Sequence, residues 1–143
     1  MAPLRTITVA LLGVLTLGAV AGGLALVTDP TGGRLGLTVD QLPAWPLLDD
    51  YLVPGLALIV LFGLLPAFAA VQLVRRDPRG WTTTEVVGVL LVIWMLGQIG
   101  IVGLGFAALQ IGFLVMGIVL AGLGIDGGAN VGARDESREV LRS

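Results

Sequence analysis

Few side chains in this 143-residue sequence could do chemistry, and those few narrow the field quickly. Cysteine, histidine and lysine are all absent, which removes thiol nucleophiles, disulfides, histidine ligation of metal or haem, and lysine Schiff bases. No serine precedes Ser137, so an intramembrane serine hydrolase has no nucleophile. Gly122-Leu-Gly-Ile-Asp-Gly127 fits G-x-G-x-x-G, but dinucleotide binding needs that motif between a strand and a helix, and here it closes an apolar run. Asp126 and Asn130 belong to a stretch that lacks the length and terminal glutamate of a calcium loop. Asp49 and Asp50, adjacent acids before an apolar run, suit the start of a helix better than acid/base catalysis. The expectation is a protein with no catalytic residue, no cofactor and no metal.

Three polar positions within or beside apolar stretches remain. Gln98 and Gln110 each lie six residues from Leu104. If the chain turns there, a rise of about 1.5 Å per residue sets both roughly 9 Å from the turn, at one depth. They are candidates for an interhelical bond, or for a contact to a ligand or transported solute. Glu85 could be read as an intramembrane proton or cation site, but Thr82-Thr83-Thr84-Glu85 matches the S/T-x-x-E capping box, and the expectation is a helix start at the membrane surface.

The elements that hold these residues follow from composition. Hydrophobic residues make up 56% of the chain and charged residues 13%, about half the usual share, and the mean hydropathy is +0.99. That composition belongs in a membrane. A bilayer core about 30 Å thick takes roughly 20 apolar residues per helix. Uncharged runs at about 7–27 and 52–74 fit one span each. The run 86–125 is too long for one, since 40 residues would make a helix of about 60 Å. Gly100, Gly103 and Gly105 place a tight turn near 102–105, giving spans of about 83–101 and 106–123. The predicted fold is an all-α membrane protein: a four-helix bundle over residues 1–128, with spans three and four a tight hairpin, an external loop at 29–50, and a disordered cytoplasmic tail at 129–143.

Orientation follows from the arginines, which are retained on the cytoplasmic side. The segment 75–81 has three arginines and one aspartate, and the tail adds Arg134, Arg138 and Arg142. The 29–50 connection has four aspartates and one arginine. Four spans in the cell membrane with both termini cytoplasmic satisfy every bias. Trp45 and Tyr51 outside, and Trp81 inside, fall at interfacial depth. Ala19-Val20-Ala21 resembles a signal-peptide cleavage site, but the apolar run exceeds the usual h-region of about 7 to 15 residues, which favours a retained first span.

Helices in lipid associate through small residues. Gly18 with Gly22, Gly63 with Ala67, Ala108 with Gly112, and Gly117 with Ala121 repeat the small-xxx-small spacing, for packing within the chain or for a homo-oligomer. Pro66 is expected to kink span two by freeing the carbonyl of Phe62. The external loop carries Leu42, Trp45 and Leu48, a surface that covers the outer end of the bundle or docks a partner. With a net charge of -2 and no basic patch, nucleic-acid binding is not expected.

The pattern resembles small four-span bacterial integral membrane proteins of uncharacterised function. The residues that carry the likeness are Asp49-Asp50-Tyr51-Leu-Val-Pro54-Gly55, Trp94, Gln98 and Leu109-Gln110, and it covers most of residues 5–124. The resemblance implies a fold and a location. The functional expectation is a non-catalytic accessory or scaffold subunit that binds membrane lipid or a partner membrane protein. The alternative is a small transporter or channel subunit acting as an oligomer around Gln98, Gln110 and the Pro66 kink.

Overall fold

The structure is a computed structural model that describes residues 2–29, 33, 52–102 and 107–142. Residues 30–32, 34–51 and 103–106 lie outside the described residues. With them go Leu42, Trp45 and Leu48 of the expected external surface, the 49–51 entry to span two, and the hairpin turn. Among the described residues the chain is helical, without strands. The elements are α1 (Ala2–Thr28), α2 (Leu52–Leu58), a π-helical segment (Ile59–Leu64), α3 (Leu65–Val74), α4 (Arg79–Val102) and α5 (Ala107–Arg142). The second span runs through α2, the π segment and α3, so four helices are long and apolar enough to cross a membrane.

Each long helix buries a narrow seam and leaves apolar residues on its other faces. On α1 the buried positions Thr8, Leu12, Leu15, Ala19, Gly23 and Leu26 recur every three to four residues, while Leu17, between them, is 73% exposed. A helix that is apolar all round with only one stripe covered by protein is one whose remaining solvent is lipid. The seams of α1, the second span and α4 meet at Leu12, Phe62 and Leu91, and Leu120 brings α5 into the same core. α4 and α5 lie side by side in close contact, α1 packs along the second span, and α3 packs on α4.

Local chemistry explains where the elements begin and end, and corrects several expectations. The capping box at Thr82 does not start the fourth helix. Asp77 does so three residues before Gly80, accepting the Arg79 backbone N–H at 3.0 Å on its carboxylate and the Gly80 N–H at 3.0 Å on its carbonyl. Pro78 occupies the first-turn position where a missing N–H is harmless. Glu85 therefore sits inside α4. The Arg79 guanidinium bonds the Asp77 carboxylate at 3.0 and 3.2 Å, and together with the Arg79 N–H it holds that carboxyl below the usual carboxylate range.

Helix α3 closes with a Schellman motif: the Asp77 N–H reaches the Gln72 carbonyl at 2.8 Å and the Arg76 N–H reaches that of Leu73 at 3.0 Å. The residue between them, Arg76, has a φ of 60°, a left-handed position that glycine usually fills. Around Pro66 the helix widens. Residues 59–64 form π turns, with the Leu65 N–H bonded to the Val60 carbonyl, which accommodates a ring that would otherwise press on the carbonyl four residues back.

The tail expected to be disordered from residue 129 is instead the continuation of α5 as far as Arg142. Two physical reasons account for it. No proline follows Pro78, and two of the glycines that could end the helix are held against α4, Gly124 at Glu85 and Gly127 at Trp81. Beyond them, Ala133, Arg134, Glu136, Arg138, Glu139 and Leu141 are strong helix formers extending a helix already nucleated. At about 1.5 Å per residue the 36 residues of α5 reach roughly 54 Å, well past a bilayer core of about 30 Å.

Candidate functional site

The small residues fix the bundle, though not all at the expected pairs. Gly117 and Ala121 of α5 face Gly88 of α4. A Cβ built on Gly88 would meet the Ala121 backbone nitrogen, the Gly117 carbonyl oxygen at 2.6 Å and the Ala121 Cα at 2.8 Å. One turn further along, Gly124 lies against the Glu85 backbone, and then Gly127 against the Trp81 indole. Gly63 faces Val20 at 3.0 Å, with Ala67 half-buried one turn on. A Cβ on Gly18 would stand 3.5 Å from the Phe113 ring, so that glycine faces α5, whereas one on Gly22 would meet nothing within 4 Å among the described residues. The close approach of α1 to α2 uses Gly23 and Gly55 instead, the Gly55 carbonyl standing 2.8 Å from a Cβ on Gly23. Ala108 is exposed and Gly112 has open space beside it.

Polar side chains occupy three levels of the interior. Near the hairpin end, Gln110 is buried at 4% exposure and Gln98 is half-buried on the neighbouring helix. At mid-bundle, Phe62 and Trp94 meet edge to face, with ring centres 5.7 Å apart. At this level the Trp94 indole N–H and, on α1, the Thr16 hydroxyl are covered without hydrogen-bond partners among the described residues. Toward the opposite end, the Thr83 hydroxyl donates to Gln72 Oε1 at 2.7 Å, a side-chain bond between α3 and α4. Thr8 and Thr84 are fully buried there, each bonded back to a carbonyl of its own helix, at 2.8 Å in both cases.

Gln72 and Gly88 were not singled out by sequence reasoning, Gly124 entered it only within the G-x-G-x-x-G run, and Trp81 only as an interfacial aromatic. Gln72 lies three residues from Arg75, so its position reads as interfacial until α4 is laid beside it. Trp81, expected among lipid headgroups, is 1% exposed and plugs the end of the α4–α5 seam against Gly127. The Gln72–Thr83 bond is expected to couple two spans. In a double-mutant cycle of Gln72→Leu and Thr83→Val, denaturation in micelles should show a coupling of about 0.6 to 2 kcal/mol. Strictly additive losses would mean that the bond does not join α3 to α4.

The arrangement offers covered polar contacts and close helix approaches. No family model, curated protein or solved structure matches the chain.

Proposed function

We propose that the chain is a non-catalytic protein of the cell membrane, an accessory or scaffold subunit that binds lipid or a partner membrane protein. The observation that carries this reading is the set of small positions left open on apolar faces. A Cβ on Gly13 or Gly22 of α1, on Gly97 or Gly100 of α4, or on Gly112 of α5 would meet nothing within 4 Å among the described residues, while Gly88, Gly117 and Gly124 are used within the bundle. Open glycines on lipid-facing helices are where another helix approaches closely. A sequence without cysteine, histidine or lysine supports the non-catalytic part.

Native mass spectrometry of the protein released gently from its own membrane tests the proposal. The expected result is a second polypeptide or one defined lipid retained with the chain. A stripped monomer would overturn it. A stripped homo-oligomer that moves solute in a liposome flux assay would favour the transporter or channel alternative.

Both termini are proposed to lie in the cytoplasm, on the arginine bias of 75–81 and of the end of α5. The chain has no cysteine of its own, so Ser137→Cys on the exposed end of α5 gives a single label site. A membrane-impermeant maleimide should label it only after the cells are permeabilised. Equal labelling of intact cells would place that end outside.

A further inference from the structure

The corner where α1 begins and α3 ends carries charge that the fold does not use. Val20 lies against Gly63 and Gly23 against Ile59, so α1 and the second span run antiparallel in a register that brings Arg5 level with the 75–78 turn. Leu4, beside Arg5, packs on the core cluster that includes Leu73 and Trp81, which holds α1 to that end. Three arginines, Arg5, Arg75 and Arg76, therefore share one corner. The acid beside them, Asp77, is engaged by Arg79 at 3.0 Å. Glu85 lies at the α4–α5 crossing against Gly124, and Asp126 is exposed on α5.

Two features separate this corner from a solvated charge run. Arg5 is half-buried, and its Nε is covered with no hydrogen-bond partner among the described residues, which leaves that hydrogen bond unmade at a cost. Arg76 holds a left-handed backbone that glycine would adopt freely. The Schellman closure sets the Arg76 backbone, so what is unfavourable there is the choice of arginine over glycine, beside the unmade hydrogen bond at Arg5. Directly below the turn, Val74, Val71 and Phe68 are exposed on α3 and Ile7 on α1, an apolar path suited to an acyl chain.

Resting on the lipid-binding reading above, we propose that Arg5, Arg75 and Arg76 form a site for the phosphate headgroup of an anionic phospholipid, with its acyl chains along the exposed face of α3. Guanidinium groups bind phosphate oxygens bidentately, and basic residues at membrane depth favour anionic over zwitterionic lipid.

The test uses the full chain in neutral detergent, titrated with phosphatidylglycerol or phosphatidylcholine of matched acyl chains and read by native mass spectrometry and thermal unfolding. The intact protein should prefer phosphatidylglycerol, and the Arg5→Gln/Arg75→Gln/Arg76→Gly variant should lose about 10-fold or more of that preference. The Arg134→Gln/Arg138→Gln/Arg142→Gln variant removes the same charge from α5 and should keep it. Arg76→Gly alone separates binding from folding: it should raise the lipid-free melting temperature by about 3 °C while weakening phosphatidylglycerol retention. If both triple variants lose the preference equally, or neither does, the site is wrong while lipid binding stands. If the intact protein retains neither lipid preferentially, the lipid half of the proposed function falls with the site. Retention of an acidic protein from the native membrane in place of phosphatidylglycerol would also overturn the lipid assignment, leaving the partner reading intact.

Discussion

Gly88→Leu is expected to destabilise the bundle by on the order of 3 kcal/mol, more than any substitution at a lipid-facing position. A Cβ at residue 88 points at the Ala121 backbone nitrogen and the Gly117 carbonyl, and backbone atoms of a helix cannot swing aside as a side chain can. Even Gly88→Ala must push α4 and α5 apart. Since lipid tails are as apolar as the helix faces, the association of these helices rests on van der Waals contact at close range, and separation forfeits it along the seam. Gly122→Leu is the control, because nothing stands within 4 Å of that position. Unfolding of both variants in the same micelles checks the point: equal stabilities would mean that α4 and α5 do not meet at Gly88.

The second large effect is expected from Trp81→Ala, a loss of about 3 kcal/mol or more. The indole is fully enclosed, pressed on one side by Gly127, in a space that no small residue fills. Trp81→Phe should lose less, since it leaves a smaller cavity. Fluorescence gives an independent reading. With Trp45 and Trp94 replaced by phenylalanine, emission from Trp81 should be blue-shifted and resist an aqueous quencher, whereas a headgroup-level tryptophan would be quenched.

The boundaries of the second span were legible because charge marks both ends of a run close to one bilayer in length, from Asp50 to Arg75. The start of α4 was misread because the threonine run offers a plausible cap, while Asp77-Pro78 offers a stronger one two turns before Glu85. The end of α5 was misread for a different reason. Asp126 ends the uncharged run, but backbone hydrogen bonding has no cause to stop at a charged residue. Among glycines, 3.6-residue spacing could not decide between neighbours. Gly22 looked like the partner of Gly18, yet the buried stripe through Leu15, Ala19 and Leu26 turns Gly23 inward and leaves Gly22 outward. Gly88 has a small neighbour at helical spacing in Thr84, but that threonine reads first as part of a capping box, so the pair goes unnoticed until α5 is set beside it. Gln98 and Gln110 were legible as polar residues in apolar runs, but their unequal burial depends on helix rotation, which a count of residues from a turn does not contain.

The length of α5 makes it a lever as well as a span. Its fulcrum is the end of the packed seam, where Gly127 meets Trp81 and Val131 rests on the core, and eleven residues, about 16 Å of helix, follow Val131 to Arg142. Near its tip, Leu141 is 86% exposed and unsupported by the rest of the bundle. A 10° tilt about that point moves the tip by about 3 Å, whereas the same tilt shifts α5 at Gly127, one turn inward from the fulcrum, by only about 1 Å. Small rearrangements among the packed spans are thereby enlarged several-fold at the end of α5, and anything bound to that end would feel events that the membrane-embedded seam scarcely registers.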